Sequence, residues 1–157
     1  MTAHRRIPID KQSPSIYDAM TAVAVEVGHR ARDAGLDRTL IELVNIRVSQ
    51  LNRCAFCLDL HTRRALTGGE SIRRITVLPA WREVTLYSDT ERAALEIAEA
   101  MTHTTGDHLD DRTYATVRAH LTDDQVSIVT WAAITINAFN RVSIASLHAV
   151  RPSPKPT

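Results

Sequence analysis

Five glycines and six prolines are all the backbone punctuation this 157-residue chain carries, and they fall where helices would begin or end. Ser13-Pro14 reads as an N-cap followed by a proline at the first helical position, and Gly35 closes the run Ser15 to Ala34. Asp37 can cap a second helix, Arg38 to about Leu51, and Asn52 a third that runs to the Gly68-Gly69 stop. On that reading Cys54 and Cys57 open the third helix. Glu70 to Val77 predicts a short helix, broken by Leu78-Pro79-Ala80-Trp81. Ser88-Asp89-Thr90-Glu91 and Thr122-Asp123-Asp124-Gln125 have the spacing of capping boxes. The first predicts a helix from Asp89 to about Thr104, with Ala94, Ile97, Ala98 and Met101 at helical intervals. A turn over Gly106 to Asp111 then leads to a helix near Arg112 to His120. The second box predicts a last helix from Asp123 to about Ala149. Val, Ile and Thr are frequent there, but length and the cap decide for helix over strand. The expected fold is all-α, one domain over residues 14–150, with residues 1–13 an N-terminal extension and residues 151–157 a disordered proline-rich tail.

A domain of this size can bury roughly 70% of its unfolded surface, so it needs no disulfide or metal merely to stand. No stretch is expected to approach the ~20 apolar residues of a membrane span, and the opening residues MTAHRRIPIDKQSPS have no apolar run behind their arginines. The expectation is a cytoplasmic, soluble protein with no membrane partner. Nineteen basic residues against eighteen acidic give a net charge of +1, with the arginines scattered, so nucleic acid is not an expected partner. The only two cysteines sit three positions apart. In a reducing compartment that favours catalysis, redox exchange or metal binding over a structural staple.

The segment from Glu42 to His61 is where the sequence becomes specific. A cysteine reacts as thiolate, and a helix N-terminus favours that anion, so Cys54 in the first turn is a candidate. Cys57 and His61 stand four apart and share a helix face, as a nucleophile and its base would. Glu42 lies in an apolar stretch, Leu40 to Val44, where a carboxylate is costly unless it meets a polar partner. Glu42, Asn45 and Ser49 fall on one strip, which could hold the imidazole and complete a carboxylate–imidazole–thiol relay. Blander readings stand beside this one: an incidental cysteine pair, or zinc held by Cys54, Cys57, His61 and a carboxylate. His4, His29, His103, His108, His120 and His148 are assigned no chemistry, and Trp81 and Trp131 read as core or interface residues.

These residues resemble the alkylhydroperoxidase D-like, or carboxymuconolactone decarboxylase-like, superfamily. Its redox branch carries Glu, eleven residues, then Cys-x-x-Cys-x-x-x-His, the spacing of Glu42, Cys54, Cys57 and His61. Ser49-Gln50-Leu51-Asn52 and Asn137-Ala-Phe-Asn140-Arg141 are similar as well, and the likeness spans residues 14–150. Some peroxidases of the family have a second histidine where this chain has Phe56. The resemblance implies an antiparallel helical bundle, assembled as trimers or hexamers, that reduces hydroperoxides. Cys57 would attack, Cys54 would resolve, and a dithiol reductant or thioredoxin-like adaptor protein would reopen the disulfide, with no metal, haem or flavin. Helix-end position favours Cys54 as nucleophile and the histidine favours Cys57, which is preferred. Other readings are decarboxylation of a muconolactone-like acid, which needs no cysteine pair, and a non-catalytic redox-sensing or zinc-binding module. The last helix is apolar nearly all round, which predicts a subunit contact. Asn137, Asn140 and Arg141 would satisfy polar groups there, or else act within one chain.

Overall fold

A computed structural model describes residues 6–103, 105, 108–150 and 152, and those residues are helical with short connections. Residues 1–5, the expected turn at Gly106 and all of the tail but Pro152 lie outside the described residues. Eight α-helices follow in order: α1 (Ile9–Gln12), α2 (Pro14–Asp33), α3 (Arg38–Leu51), α4 (Ala55–Thr67), α5 (Ile72–Val77), α6 (Asp89–Ala100), α7 (Asp111–Arg118) and α8 (Asp123–Ser146). A 3-10 segment, Leu78–Glu83, kinked at Ala80, separates α5 from α6.

The boundaries follow local chemistry. Both capping boxes form: Glu91 N–H donates to Ser88 Oγ at 3.2 Å and Gln125 N–H to Thr122 Oγ1 at 3.2 Å, each with the reciprocal bond. Pro14 opens α2, although Ser13 makes no capping bond through its side chain. Four helices end in the Schellman pattern, where the chain reverses through one left-handed residue. Glycine fills that position after α2 (Gly35, φ 72°) and after α4 (Gly69, φ 96°). Arg53 (φ 54°) and Leu147 (φ 52°) fill it after α3 and α8.

Three expected boundaries need correction. Asn52 is the last cap of α3 and does not start α4, whose N-cap is Cys54. Helix α6 stops at Ala100 rather than near Thr104, and α8 stops at Ser146 rather than Ala149, because Leu147 turns left-handed. The segment before residue 14, read as an extension, contributes α1, which packs on α2 and α8.

Helix α3 lies at the centre, packed on α4, α6 and α8, which is why Leu43, Val44, Ile46 and Val48 are all buried. Burying each such side chain is worth about 1.5–3 kcal/mol. The main core joins α2, α3, α6 and α8 and includes both cysteines. A second cluster, Leu43, Ile46, Ala65, Leu78, Trp81 and Leu95 among it, seats the 3-10 segment. Glu99 pins that segment: it accepts from Arg47 Nε at 2.7 Å, Trp81 Nε1 at 2.9 Å and Arg82 Nη1 at 2.6 Å. Helix α8 is, by length and composition, apolar enough to cross a membrane, contrary to the sequence expectation. Its inner face instead packs against α2, α3 and α6.

Candidate active site

The site forms where α3 turns into α4. Cys54 N–H donates to Ser49 O at 3.0 Å and Arg53 N–H to Gln50 O at 3.2 Å, so the turn is closed by backbone bonds before any side chain acts. Side chains of α8 then lock it: Asn52 Nδ2 donates to Asn137 Oδ1 at 2.8 Å and to Asn140 Oδ1 at 2.9 Å, and Asn140 Nδ2 donates to Ser49 Oγ at 3.0 Å. Asn137 and Asn140 are buried and bonded within the chain, the intramolecular alternative of the sequence reading. Arg141 bonds back to Asn137 O at 2.8 Å.

This arrangement places the cysteines differently from the sequence reading. Cys54, as N-cap, has extended backbone, while Cys57 is the third residue of α4 and lies in the first turn. Both thiols thus lie at the N-terminal end of α4, where the helix-end field acts on each. Both are free thiols and almost fully buried. Burial pushes the Cys54 thiol up to about 12, with a hydrogen bond to Cys57 adding to the rise and one to Ser143 opposing it.

Glu42 and His61 meet as expected: His61 Nδ1 lies 2.7 Å from Glu42 Oε2, and both side chains are buried. Against an ionised carboxylate the ring must donate from Nδ1, leaving Nε2 as its free nitrogen. Asn45 Nδ2 reaches the same carboxylate oxygen at 3.5 Å. Ser49 departs from expectation. It faces Asn140 and the α3–α4 turn, so it supports the cysteine turn and not the imidazole.

Cys57 and His61 line one cavity of about 460 Å³, walled mainly by apolar side chains of α2, α3 and α8 such as Val27, Ile41, Ile136 and Phe139. No direct hydrogen bond joins them among the described residues. The Cys57 thiol donates instead to Ser143 Oγ at 3.6 Å. With no direct bond, a proton moving between Cys57 and His61 needs a water or another molecule in the cavity to carry it. Cys54 does not line this cavity. No three His, Cys, Asp or Glu side chains among the described residues are gathered closely enough to hold a metal ion, so the zinc reading has no ligand set.

Sequence reasoning missed three side chains near the thiols: Ser143, which lines the cavity, and His148 and Asp10, which do not. His148 Nδ1 lies 3.3 Å from Ser143 Oγ, and its Nε2 lies 3.2 Å from Asp10 Oδ1. The His148 ring also meets Phe56 edge-on, with centroids 5.1 Å apart. A readable signal existed for the first. Asn137, Asn140 and Ser143 recur every three residues on an apolar helix, which marks a polar stripe facing inward.

Residues 14–100, over half of the chain, match the carboxymuconolactone decarboxylase family. The chain belongs to that family. Among its relatives is the uncharacterized protein YdfG of Bacillus subtilis, 39% identical over 123 residues, which cover 78% of this chain and 84% of YdfG. The uncharacterized protein YnjA of Escherichia coli is 34% identical over 85 residues, 54% of this chain and 46% of YnjA. A crystal structure from Agrobacterium tumefaciens superposes with a TM-score of 0.85 at 31% identity, covering 95% of this chain and 99% of that one. That protein is described as one of unknown function, with a suggested role as the antioxidant defence protein AhpD. The all-helical, AhpD-like fold of this member of the carboxymuconolactone decarboxylase family is thus shared along nearly its whole length.

Proposed function

We propose that the protein is a thiol-dependent hydroperoxide reductase. The observation that carries this reading is one mainly apolar cavity shared by a helix-opening thiol, Cys57, and a buried carboxylate–imidazole pair, Glu42 and His61. The only thiol lining the cavity is Cys57, so Cys57 attacks the distal oxygen of a hydroperoxide. The O–O bond breaks, Cys57 becomes a sulfenic acid, and the thiol proton passes by way of His61 to the departing alkoxide, which leaves as an alcohol. Cys54 then displaces hydroxide from the sulfenic acid, giving a Cys54–Cys57 disulfide and water. A dithiol reductant or a thioredoxin-like adaptor protein reopens it by exchange. The cycle takes no metal or organic cofactor. The cavity walls suit an alkyl hydroperoxide better than hydrogen peroxide alone.

The test is anaerobic titration of the reduced protein with cumene hydroperoxide, counting free thiols and following the alcohol. Two thiols should disappear for each alcohol formed, and mass spectrometry should show loss of two hydrogens within one chain. Thiols that persist under stoichiometric hydroperoxide, or disulfide found only between chains, would refute the reading. The family's description points to a second chemistry, decarboxylation of a lactone acid. Such activity surviving in a C54S/C57S double variant would establish that alternative.

A further inference from the structure

The thiols of this protein have two carboxylate–imidazole pairs around them, and the proposed cycle uses only one. Glu42–His61 faces the cavity. The second pair, Asp10–His148, does not line that cavity and is linked to Cys57 by one hydroxyl, that of the cavity-lining Ser143. Cys57 Sγ is 3.6 Å from Ser143 Oγ, Ser143 Oγ is 3.3 Å from His148 Nδ1, and His148 Nε2 is 3.2 Å from Asp10 Oδ1. Asp10 and Ser143 are buried and His148 is mostly so; among the described residues the other charged group paired with Asp10 is Lys11, whose Nζ lies 3.5 Å from Asp10 Oδ2.

This arrangement is maintained at a conformational cost. Leu147 is 64% exposed and left-handed at φ 52°, a conformation that costs a non-glycine residue roughly 1–2 kcal/mol. The turn it makes brings His148 N–H back to Ser143 O at 3.0 Å and the ring against the Ser143 hydroxyl. From the other end of the fold, Ile9 N–H donates to Ser146 Oγ at 3.1 Å and so seats Asp10 beside the ring. Burial alone would raise the Asp10 carboxyl, but the hydrogen bond and charge of His148 outweigh it and hold the group below its ordinary value. Asp10 is thus an anion that accepts an Nε2–H, and when the ring is neutral this leaves Nδ1 free to accept.

We propose that Ser143, His148 and Asp10 form a second proton relay, which activates the resolving thiol Cys54. This rests on the hydroperoxide-reductase reading above. Cys54 does not reach the cavity where His61 works, and its buried thiol holds its proton tightly. Condensation with the sulfenic acid nevertheless needs a Cys54 thiolate. Ser143 is hydrogen-bonded to Cys57, so the Cys54 thiol meets its hydroxyl on closing towards Cys57 Sγ; Oγ accepts the Cys54 proton and passes its own to His148 Nδ1. The electron pair left on Cys54 attacks Cys57 Sγ and the S–O bond breaks. The proton returns through Ser143 to the departing hydroxide, which leaves as water. One S–H and one S–OH, the latter already oxidised by the hydroperoxide, thereby become one disulfide and one water, with no further reactant.

The test separates the two chemical steps in a single turnover of the full chain, reduced and mixed with cumene hydroperoxide. Alcohol release reports attack by Cys57, and dimedone labelling against disulfide reports closure. In H148Q and S143A, closure should slow by about 10²–10⁴-fold, the usual worth of positioned acid–base groups, and dimedone-labelled Cys57 should accumulate. S143T, which keeps a hydroxyl, should restore closure to within about tenfold, a recovery that mere space-filling would not produce. D10N, nearly isosteric, should slow closure without change in circular dichroism. Closure at the parent rate in H148Q and S143A would overturn the relay while leaving the reductase reading intact. Equal slowing of both steps would also overturn it, since the contacts would then only hold the site together. A parent protein that releases no alcohol would remove both.

Discussion

At the scale of single residues, the fold and its candidate site depend on how buried ionisable groups are paired. Glu42 and His61 act as one unit, so E42Q and H61A should each slow alcohol release by about 10²–10⁴-fold, with the double variant losing little more than the worse single one. A double loss equal to the product of the two would show independent roles. Glu99, which shares no atom with the site, is a structural counterpart. Burial opposes its charge, but bonds from Trp81, Arg82 and Arg47 lower its carboxyl below the ordinary value. A lowered folded value means stability that is present above the unfolded carboxylate range and is lost as pH falls through the folded one. E99Q should therefore cost about 3 kcal/mol at neutral pH by urea denaturation, with the deficit shrinking in acid. For Cys54 the sign is reversed. With its thiol pushed to about 12, the native state keeps a proton that the unfolded chain loses near pH 8.5, so stability declines as pH rises from there. Iodoacetamide at pH 9 should label Cys54 slowly in the native reduced protein and quickly in urea.

Helix ends matter more than helix interiors in this fold. Both capping boxes, the proline at the start of α2 and the glycines after α2 and α4 could be read from residue types, because each supplies a backbone conformation or bond that few others can. Arg53 and Leu147 could not, since nothing in an arginine or a leucine announces a left-handed residue. That single gap moved the start of α4 from Asn52 to beyond Cys54, and hid His148 by extending α8 through it. The Glu42–His61 pair was legible because helical spacing and one costly buried carboxylate fixed it. The Asp10–His148 pair joins residues 138 apart, and no local pattern carries information over that distance. Arg53 is exposed, so R53G should relieve the left-handed strain and raise stability by up to about 1 kcal/mol after glycine's own entropic cost. A thermal unfolding curve unchanged or lowered would show that the arginine side chain contributes more than its backbone strain removes. The N-cap position of Cys54 also eases disulfide closure. Residues three apart within a regular helix hold their Cβ atoms about 5–6 Å apart, beyond disulfide reach, whereas Cys54 can rotate without unwinding α4.

For the whole molecule, the apolar surface of α8 and α2 remains to be covered. Trp131 is 52% exposed and Ile134 and Ile144 are close behind, with Ile16, Val23 and Val25 exposed on α2. Such a surface, on a fold whose resemblance implies trimers or hexamers, predicts a homohexamer with α8 partly at the subunit contact. Light scattering at micromolar concentration would refute this by returning the monomer mass of 17.5 kDa. W131E should shift the hexamer towards smaller species. The pairing of Cys57 with Ser143, far along the chain, has a consequence for synthesis. A ribosome adding roughly 5–20 residues per second completes Cys57 about 5–20 seconds before His148. During that interval the nascent chain carries both thiols, yet neither Ser143 nor His148 exists to receive a proton from them. The dithiol is therefore made before its partners at and just beyond the end of α8, so an emerging chain would meet oxidant with cysteines that its own fold cannot yet govern.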